Sequence, residues 1–139
     1  MDGRFWISVV VLFVVGMTIG FVVHGMLLTS DYAQLPNLLR AEADAQGYFM
    51  WMLLAHVLMA IGFTWIYRQG RVSDRPWLGQ GLRFGLAMAL VMTLPTYLIY
   101  YAVQPWPGQV VVKQIVFDVG GMLVMGIVTA AVNNVRRKA

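Results

Sequence analysis

The chain has no cysteine, and charged residues make up only 12% of its 139 positions. The absence of cysteine excludes disulfide bonds, thiolate metal ligands and cysteine nucleophiles. Soluble domains usually carry roughly 25% charged residues, whereas 60% of this chain is hydrophobic. The composition therefore predicts an integral membrane protein.

Long polar stretches are also scarce, because four apolar segments occupy most of the chain. They cover residues 5–28, 48–67, 84–103 and 110–132, and each is near the roughly 20 residues that a membrane-spanning helix needs. The first exceeds the apolar region of a secretory signal and lacks a small-residue cleavage site, which favours a retained helix. We expect one all-α integral membrane domain over residues 1–139, with four transmembrane helices in an antiparallel bundle.

The basic residues are distributed unevenly between the two sides of this predicted bundle. Arg40 and Lys113 fall on one side, and the other eight of the ten basic residues fall on the opposite side. Those eight are Arg4, Arg68, Arg71, Arg75, Arg83, Arg136, Arg137 and Lys138. Basic residues near helix ends are retained in the cytoplasm. We therefore expect a bacterial-type inner-membrane protein with cytoplasmic N and C termini, and the net charge of +4 does not indicate nucleic-acid binding.

The outer segment between the first two spans, residues 29–46, has helical features. Leu35, Leu38 and Leu39 share a helical face, Pro36 suits a first turn, and Gly47 suits a helix end. These features predict a short helix at the outer membrane surface. A lid over an outer cavity is the alternative function of this segment.

Two histidines and one aspartate, His24, His56 and Asp118, lie inside the predicted spans. A titratable group in hydrocarbon is costly and normally has a function, a paired partner or a water-filled cavity. Counted from the outer helix ends, His24 lies about 6 Å deep, Tyr97 about 9 Å, and His56 and Asp118 about 12 Å. The common depth predicts a His56 and Asp118 pair in an outward-facing polar pocket. His24 continues a stripe with Gly16 and Gly20, and close helix packing is a sufficient explanation for it.

Two classes of function follow from this polar layer. In the first, Asp118, His56, His24 and Tyr97 bind or conduct a small polar solute or protons. No second ionisable group in the inner half completes a pathway across the membrane, so conduction is more plausible in a homo-oligomer. In the second, the chain is a structural subunit that packs against a larger membrane-protein partner through its glycine stripes.

A redox function is the third possibility, with either haem or copper as the cofactor. His24 and His56 are the potential haem ligands, although their different depths argue against it. Met26, Met50 and Met52 are the potential copper ligands, because thioethers suit Cu(I). No residue spacing matches a specific metal motif and no catalytic constellation is present, so we expect neither a cofactor nor an enzyme. The expected partner in every case is the lipid bilayer.

Overall fold

The computed structural model describes residues 2–72 and 74–134, without the side chain of Glu42. This part of the chain is helical and contains no strand. Its helices are α1 (Gly3–Leu27), α2 (Thr29–Tyr32), α3 (Glu42–Gln46), α4 (Phe49–Gly70), α5 (Trp77–Val103) and α6 (Gly108–Val132). The long helices α1, α4, α5 and α6 are each apolar enough to span a membrane, which confirms the four spans expected from sequence. The basic residues expected at positions 136–138 lie outside the described residues.

Helix α5 begins at Trp77, whereas the apolar pattern predicts its start near residue 84. Pro76 precedes the first turn, a place where its missing N–H costs no helical hydrogen bond. The early turns carry Gln80 and Arg83, so hydropathy alone assigns them to a polar loop. Helix α5 is therefore longer than the apolar segment from which it was predicted.

The outer segment forms two short helices, α2 and α3, instead of the one predicted helix. Residues 36–39 between them are turns and a bend. Pro36 lacks an N–H and disfavours helix at the preceding residue, and short isolated helices are marginal in water. Arg40 pairs with Asp44 at 2.8 Å, an i to i+4 contact that supports α3.

Helix α1 packs against α4 and α6, and α6 also packs extensively against α5. The apolar core among these helices contains Leu12, Ala60, Phe63 and Met125, which are all buried. Large apolar side chains also cover the outside, where α1 exposes Ile7, Val10, Val14 and Phe21. Soluble proteins rarely expose apolar surface on this scale, whereas lipid tails cover such surface in a membrane.

Glycine makes the contact between α5 and α6 unusually close. A Cβ atom on Gly85 would lie 2.8 Å from the Cα atom of Leu123, and one on Gly81 would lie 2.9 Å from the Cα atom of Ile127. A Cβ atom on Gly126 would overlap the carbonyl oxygen of Gly81. Backbone therefore meets backbone at this crossing, as small residues allow in membrane helices.

Polar contacts join the start of α1 to the ends of α4 and α6, and we call this region the basic end. Asp2 accepts the backbone N–H of Phe5 and forms two bonds of 2.7 and 2.8 Å with Arg68. The Arg68 guanidinium and the Phe5 amide hold the pKa of Asp2 well below its usual range. Arg71 donates to the backbone oxygen of Asn133 at 2.8 Å.

A buried polar cluster lies next to the basic end. The hydroxyl of Ser8 accepts bonds from Thr64 at 3.2 Å and from the Asn133 amide at 2.9 Å. The Asn133 amide also donates to the carbonyl of Thr129 at 2.9 Å. These side chains are fully or almost fully buried. Their mutual hydrogen bonds offset part of the cost of burial, while Asn133 Oδ1 has no partner among the described residues. They tie α1, α4 and α6 together.

Two of the spanning helices contain a π-helical turn, at residues Val23–Leu27 of α1 and Ala89–Thr93 of α5. The first turn includes His24. The second ends just before Pro95, whose ring cannot supply an N–H to the regular helical ladder. Wide turns of this kind redirect side chains and occur frequently at functional sites. Both of them lie near the polar residues singled out from the sequence.

Candidate ligand-binding site

A cavity of about 330 Å³ lies between α1, α4 and α6. Most of its wall is apolar, and its polar lining comes from the side chains of His24, His56 and Asp118. The apolar lining includes Gly16, Ile19, Gly20, Met52, Met59, Gly121, Met122 and Met125. All three titratable residues that stand out in the apolar sequence therefore line one space.

Two side chains approach the same carboxylate oxygen of Asp118, Oδ2. The hydroxyl of Tyr97 donates a short hydrogen bond to it, and His24 Nε2 lies 3.5 Å from it. The other oxygen, Oδ1, forms no hydrogen bond with any residue in the described ranges. A carboxylate has room for about four donors, so Asp118 retains free acceptor capacity beside the cavity.

The protonation of His24 follows from a chain of hydrogen bonds that starts on α6. Gln114 Nε2 donates to the hydroxyl oxygen of Tyr32 at 3.0 Å, and that hydroxyl lies 2.7 Å from His24 Nδ1. Because the Tyr32 oxygen already accepts from Gln114, its own proton is available to His24 Nδ1. The ring proton of neutral His24 then lies on Nε2, facing Asp118.

Lys113 and Asp31 hold this chain in position from outside the cavity. Lys113 Nζ lies 2.7 and 2.9 Å from the two carboxylate oxygens of Asp31. Asp31 and Tyr32 are neighbours in α2, so the ion pair fixes Tyr32 against the first turns of α6. Lys113 stands out in the sequence only through the side of the bundle on which it falls, and in the structure it has a specific partner in Asp31.

His56 approaches the cavity from α4 and lies over the glycine stripe of α1. A Cβ atom on Gly16 would lie 3.5 Å from the imidazole, and one on Gly20 would lie 3.4 Å from Nε2. The stripe therefore accommodates the His56 ring. His56 Nδ1 lies 2.8 Å from the carbonyl oxygen of Met52, which can only accept, so Nδ1 carries a proton. The Nε2 atom of neutral His56 is then an acceptor, and it has no hydrogen-bond partner within the described part of the chain.

Asp118 is hydrogen-bonded to Tyr97 and lies 3.5 Å from His24 Nε2, whereas depth counting pairs Asp118 with His56. His56 and Asp118 do line the same cavity. The contacts differ from the depth count because that count assumes that the outer ends of all four helices lie in one plane. Residues 31 and 32, just after α1, contact residues 113 and 114, so the first turns of α6 extend past the end of α1. His24 is thereby level with Asp118.

Tyr32 and Gln114 belong to the site but do not stand out in the sequence. Gln114 lies one helical turn before Asp118, and this spacing is the one signal available for it. Nothing in the local sequence connects Tyr32 with His24, because their contact depends on how the chain turns after α1. Trp106 packs edge-on against Tyr32, with ring centroids 6.2 Å apart.

The positions of the side chains can be compared with the haem and copper sites considered from the sequence. Within the described residues, no three His, Cys, Asp or Glu side chains are placed to share a metal ion. Both nitrogens of His24 face protein partners, which leaves no free nitrogen for axial haem ligation. Among the three methionines considered for copper, Met52 lines the cavity, while Met26 and Met50 are 61% and 71% exposed.

The cavity thus combines apolar walls with two free hydrogen-bond acceptors, Asp118 Oδ1 and His56 Nε2. Such a site can hold a molecule that has an apolar body and a polar end with hydrogen-bond donors. None of the described residues that line it is a serine, threonine, cysteine or lysine. Comparison with protein-family models, curated proteins and solved structures finds no match to this chain.

Proposed function

We propose that this chain is a small multi-pass membrane protein whose cavity binds a small molecule with an apolar body and a cationic, hydrogen-bond-donating head. The observation that carries this proposal is the pair of unpartnered acceptors in an otherwise apolar cavity. Asp118 Oδ1 supplies negative charge and His56 Nε2 supplies a neutral lone pair. A primary ammonium group carries three N–H donors, enough for both acceptors.

Electrostatics favours a cation over a neutral head. The carboxylate of Asp118 lies in surroundings of low dielectric constant, where an opposite charge interacts more strongly than in water. Its side chain is 18% exposed, so a ligand has access to it. The walls formed by Ile19, Met59 and Met122 suit the apolar body, because methionine adapts to irregular shapes.

The buried core favours binding over conduction. Leu12, Phe63 and Met125 are 0%, 1% and 3% exposed, and none of them can carry a proton. Polar groups reappear with Ser8 and Thr64 at the basic end. An apolar layer therefore separates the cavity from the polar cluster, which is consistent with a site that opens to one side.

The first prediction concerns the charge of Asp118. We expect 2-phenylethylammonium to bind the purified chain, and Asp118→Asn to weaken that binding at least about tenfold. The loss of one hydrogen bond to a charged group, about 1.5–3 kcal/mol, corresponds to tenfold or more. Isothermal titration calorimetry in a mild detergent measures the affinity, and circular dichroism verifies the fold of each variant.

Asp44→Asn is the matched control, because Asp44 is an exposed acidic residue of α3 that pairs with Arg40 and does not line the cavity. The N-trimethyl analogue of the probe keeps the charge but has no N–H donor, so we expect weaker binding to wild type. Equal affinity of wild type and Asp118→Asn for the primary ammonium contradicts the proposal. A second protein that co-purifies in stoichiometric amount, together with no probe binding, favours the role of accessory subunit.

We also propose that the four spans form an antiparallel bundle in a bacterial-type inner membrane, with both termini in the cytoplasm. The contacts of Asp2 with Arg68 and of Arg71 with Asn133 support this arrangement, because they join the start of α1 to the ends of α4 and α6. The concentration of arginine at this end supports a cytoplasmic location. In this orientation α3 lies at the outer membrane surface, and the cavity opens outward.

The natural absence of cysteine gives a direct test of this topology. We expect Gln34→Cys to react with a membrane-impermeant maleimide in intact cells, and Gln69→Cys to react only after lysis. Both glutamines are exposed, so the two variants differ mainly in the side of the membrane. Labelling of Gln69→Cys but not Gln34→Cys in intact cells would indicate the opposite orientation and contradict the proposal. Gel shift of the labelled chain is the measurement.

A further inference from the structure

A second cavity, of about 420 Å³, lies at the basic end between α4, α5 and the loop that joins them. It is separate from the cavity at Asp118, since the two share no lining residue. Its polar lining includes Arg75, Arg83 and Tyr67, and its apolar lining includes Ile66 and Phe84. We propose that this cavity is a binding site for the phosphate group of an anionic phospholipid.

The two arginines provide the charge for this site. Neither Arg75 nor Arg83 forms an ion pair or a side-chain hydrogen bond with any other residue in the described ranges, and both are exposed. Arg68 and Arg71, by contrast, have partners in Asp2 and Asn133. Guanidinium groups bind phosphate oxygens through paired N–H donors, so two free arginines in one cavity complement a phosphodiester.

Tyr67 adds a hydrogen-bond donor to this site. Its side chain lines the cavity and is 5% exposed as a whole, and its hydroxyl forms no hydrogen bond with a described residue. The hydroxyl is not among the buried polar atoms that lack a partner, so it remains accessible. A phosphate oxygen in the cavity can therefore accept a hydrogen bond from it.

The loop is held in place before any ligand arrives. Gln80 Oε1 accepts the backbone N–H of Val72 at 2.7 Å, and Gln80 Nε2 donates to the carbonyls of Val72 and Arg75 at 2.9 and 3.0 Å. These three bonds fasten the loop to the first turn of α5. The backbone at Arg75 is therefore already fixed, so binding needs little further ordering of the loop itself.

The surroundings favour a lipid over free phosphate. Next to the cavity, Ile66 of α4 and Leu82 and Leu86 of α5 are 43%, 40% and 49% exposed, and they form an apolar surface for acyl chains. Basic pockets between membrane helices bind anionic head groups in this manner. A choline or ethanolamine headgroup carries a positive charge, which the two arginines would repel. A headgroup without a cation therefore fits better. The inference rests on membrane placement and not on the ligand proposed for the cavity at Asp118.

The test uses the full chain in a mild detergent, with dioctanoyl phosphatidylglycerol as the probe. Native mass spectrometry measures bound lipid, and dioctanoyl phosphatidylcholine and inorganic phosphate are tested in parallel. We expect phosphatidylglycerol to bind at least about tenfold more tightly than either, because only it combines a net negative phosphate with acyl chains. Arg75→Gln and Arg83→Gln are each expected to weaken its binding about tenfold, and Tyr67→Phe to weaken it several-fold.

Arg4→Gln is the matched control, since Arg4 is exposed at the same end and does not line this cavity. It removes the same charge and should leave lipid binding unchanged. An equal loss in Arg4→Gln and Arg83→Gln overturns the site in favour of diffuse attraction to a basic surface. Equal binding of phosphatidylcholine overturns the role of charge, and full competition by inorganic phosphate overturns the role of the acyl chains. Asp118→Asn should bind phosphatidylglycerol normally, so failure here is distinguishable from failure of the proposed function.

Discussion

Replacement of Gly126 by leucine is expected to destroy the packing of α5 against α6. The first side-chain atom would overlap the Gly81 carbonyl oxygen and lie 2.6 Å from Gly85 N and 2.7 Å from Gly85 Cα. These are backbone atoms, so no rotamer change relieves the overlap, and the two helices must separate. Overpacking usually costs about 1–3 kcal/mol, and we expect this case to reach at least about 3 kcal/mol because backbone must move.

Gly120→Leu provides the matched control for this prediction. Gly120 lies in the same helix, and a Cβ atom there meets no other atom within 4 Å. Leucine also has a higher helix propensity than glycine by roughly 0.8–1 kcal/mol, so this variant should be as stable as wild type or slightly more stable. Reversible unfolding in a mild detergent gives both values. Equal stability of the two variants contradicts the close crossing of α5 and α6.

The spanning helices were predictable because a bilayer imposes a simple requirement on length and composition. Roughly 20 apolar residues are sufficient to indicate a span, and each of the four segments meets this requirement. The start of α5 was not predictable by the same rule, since its first turns contain Gln80 and Arg83. Gly81 and Gly85 support these turns through contact with α6, and such a contact cannot be derived from one helix alone.

The residues of the candidate site were predictable because titratable groups are rare within apolar segments. His24, His56 and Asp118 were identified on that basis, and Tyr97 was added from its depth. The structure places the first three around one cavity, with Tyr97 bonded to Asp118. Their pairing was not predictable from depth. Counting places His24 about 6 Å from Asp118 in depth, whereas His24 Nε2 lies 3.5 Å from Asp118 Oδ2, so residue counting misses this neighbour.

The glycine stripe of α1 is another feature whose contact partner could not be predicted from the sequence of one helix. The spacing of Gly16 and Gly20 predicts that small residues allow close approach to this face of α1. The group that approaches is the imidazole of His56, and identifying it requires knowledge of which helix packs there. A stripe of small residues thus indicates a close contact without indicating its partner.

The second large effect concerns the hydrogen bond between Tyr97 and Asp118. Asp118→Leu alone is expected to lower the free energy of unfolding by about 2 kcal/mol, because the Tyr97 hydroxyl loses its acceptor. Adding Tyr97→Phe removes this unpaired donor. Replacement of both partners by apolar groups is often nearly neutral, so we expect the double variant to regain at least half of the loss.

A double-mutant cycle on unfolding in a mild detergent measures this coupling. Tyr100→Phe combined with Asp118→Leu is the control, since Tyr100 lies in the same helix, is 46% exposed and does not bond Asp118. We expect no recovery in that pair. Strict additivity of Tyr97→Phe and Asp118→Leu contradicts the hydrogen bond. A rise in stability of Asp118→Leu contradicts a stabilising role for the carboxylate, and ligand binding then remains as the reason to keep a charge in this part of the membrane.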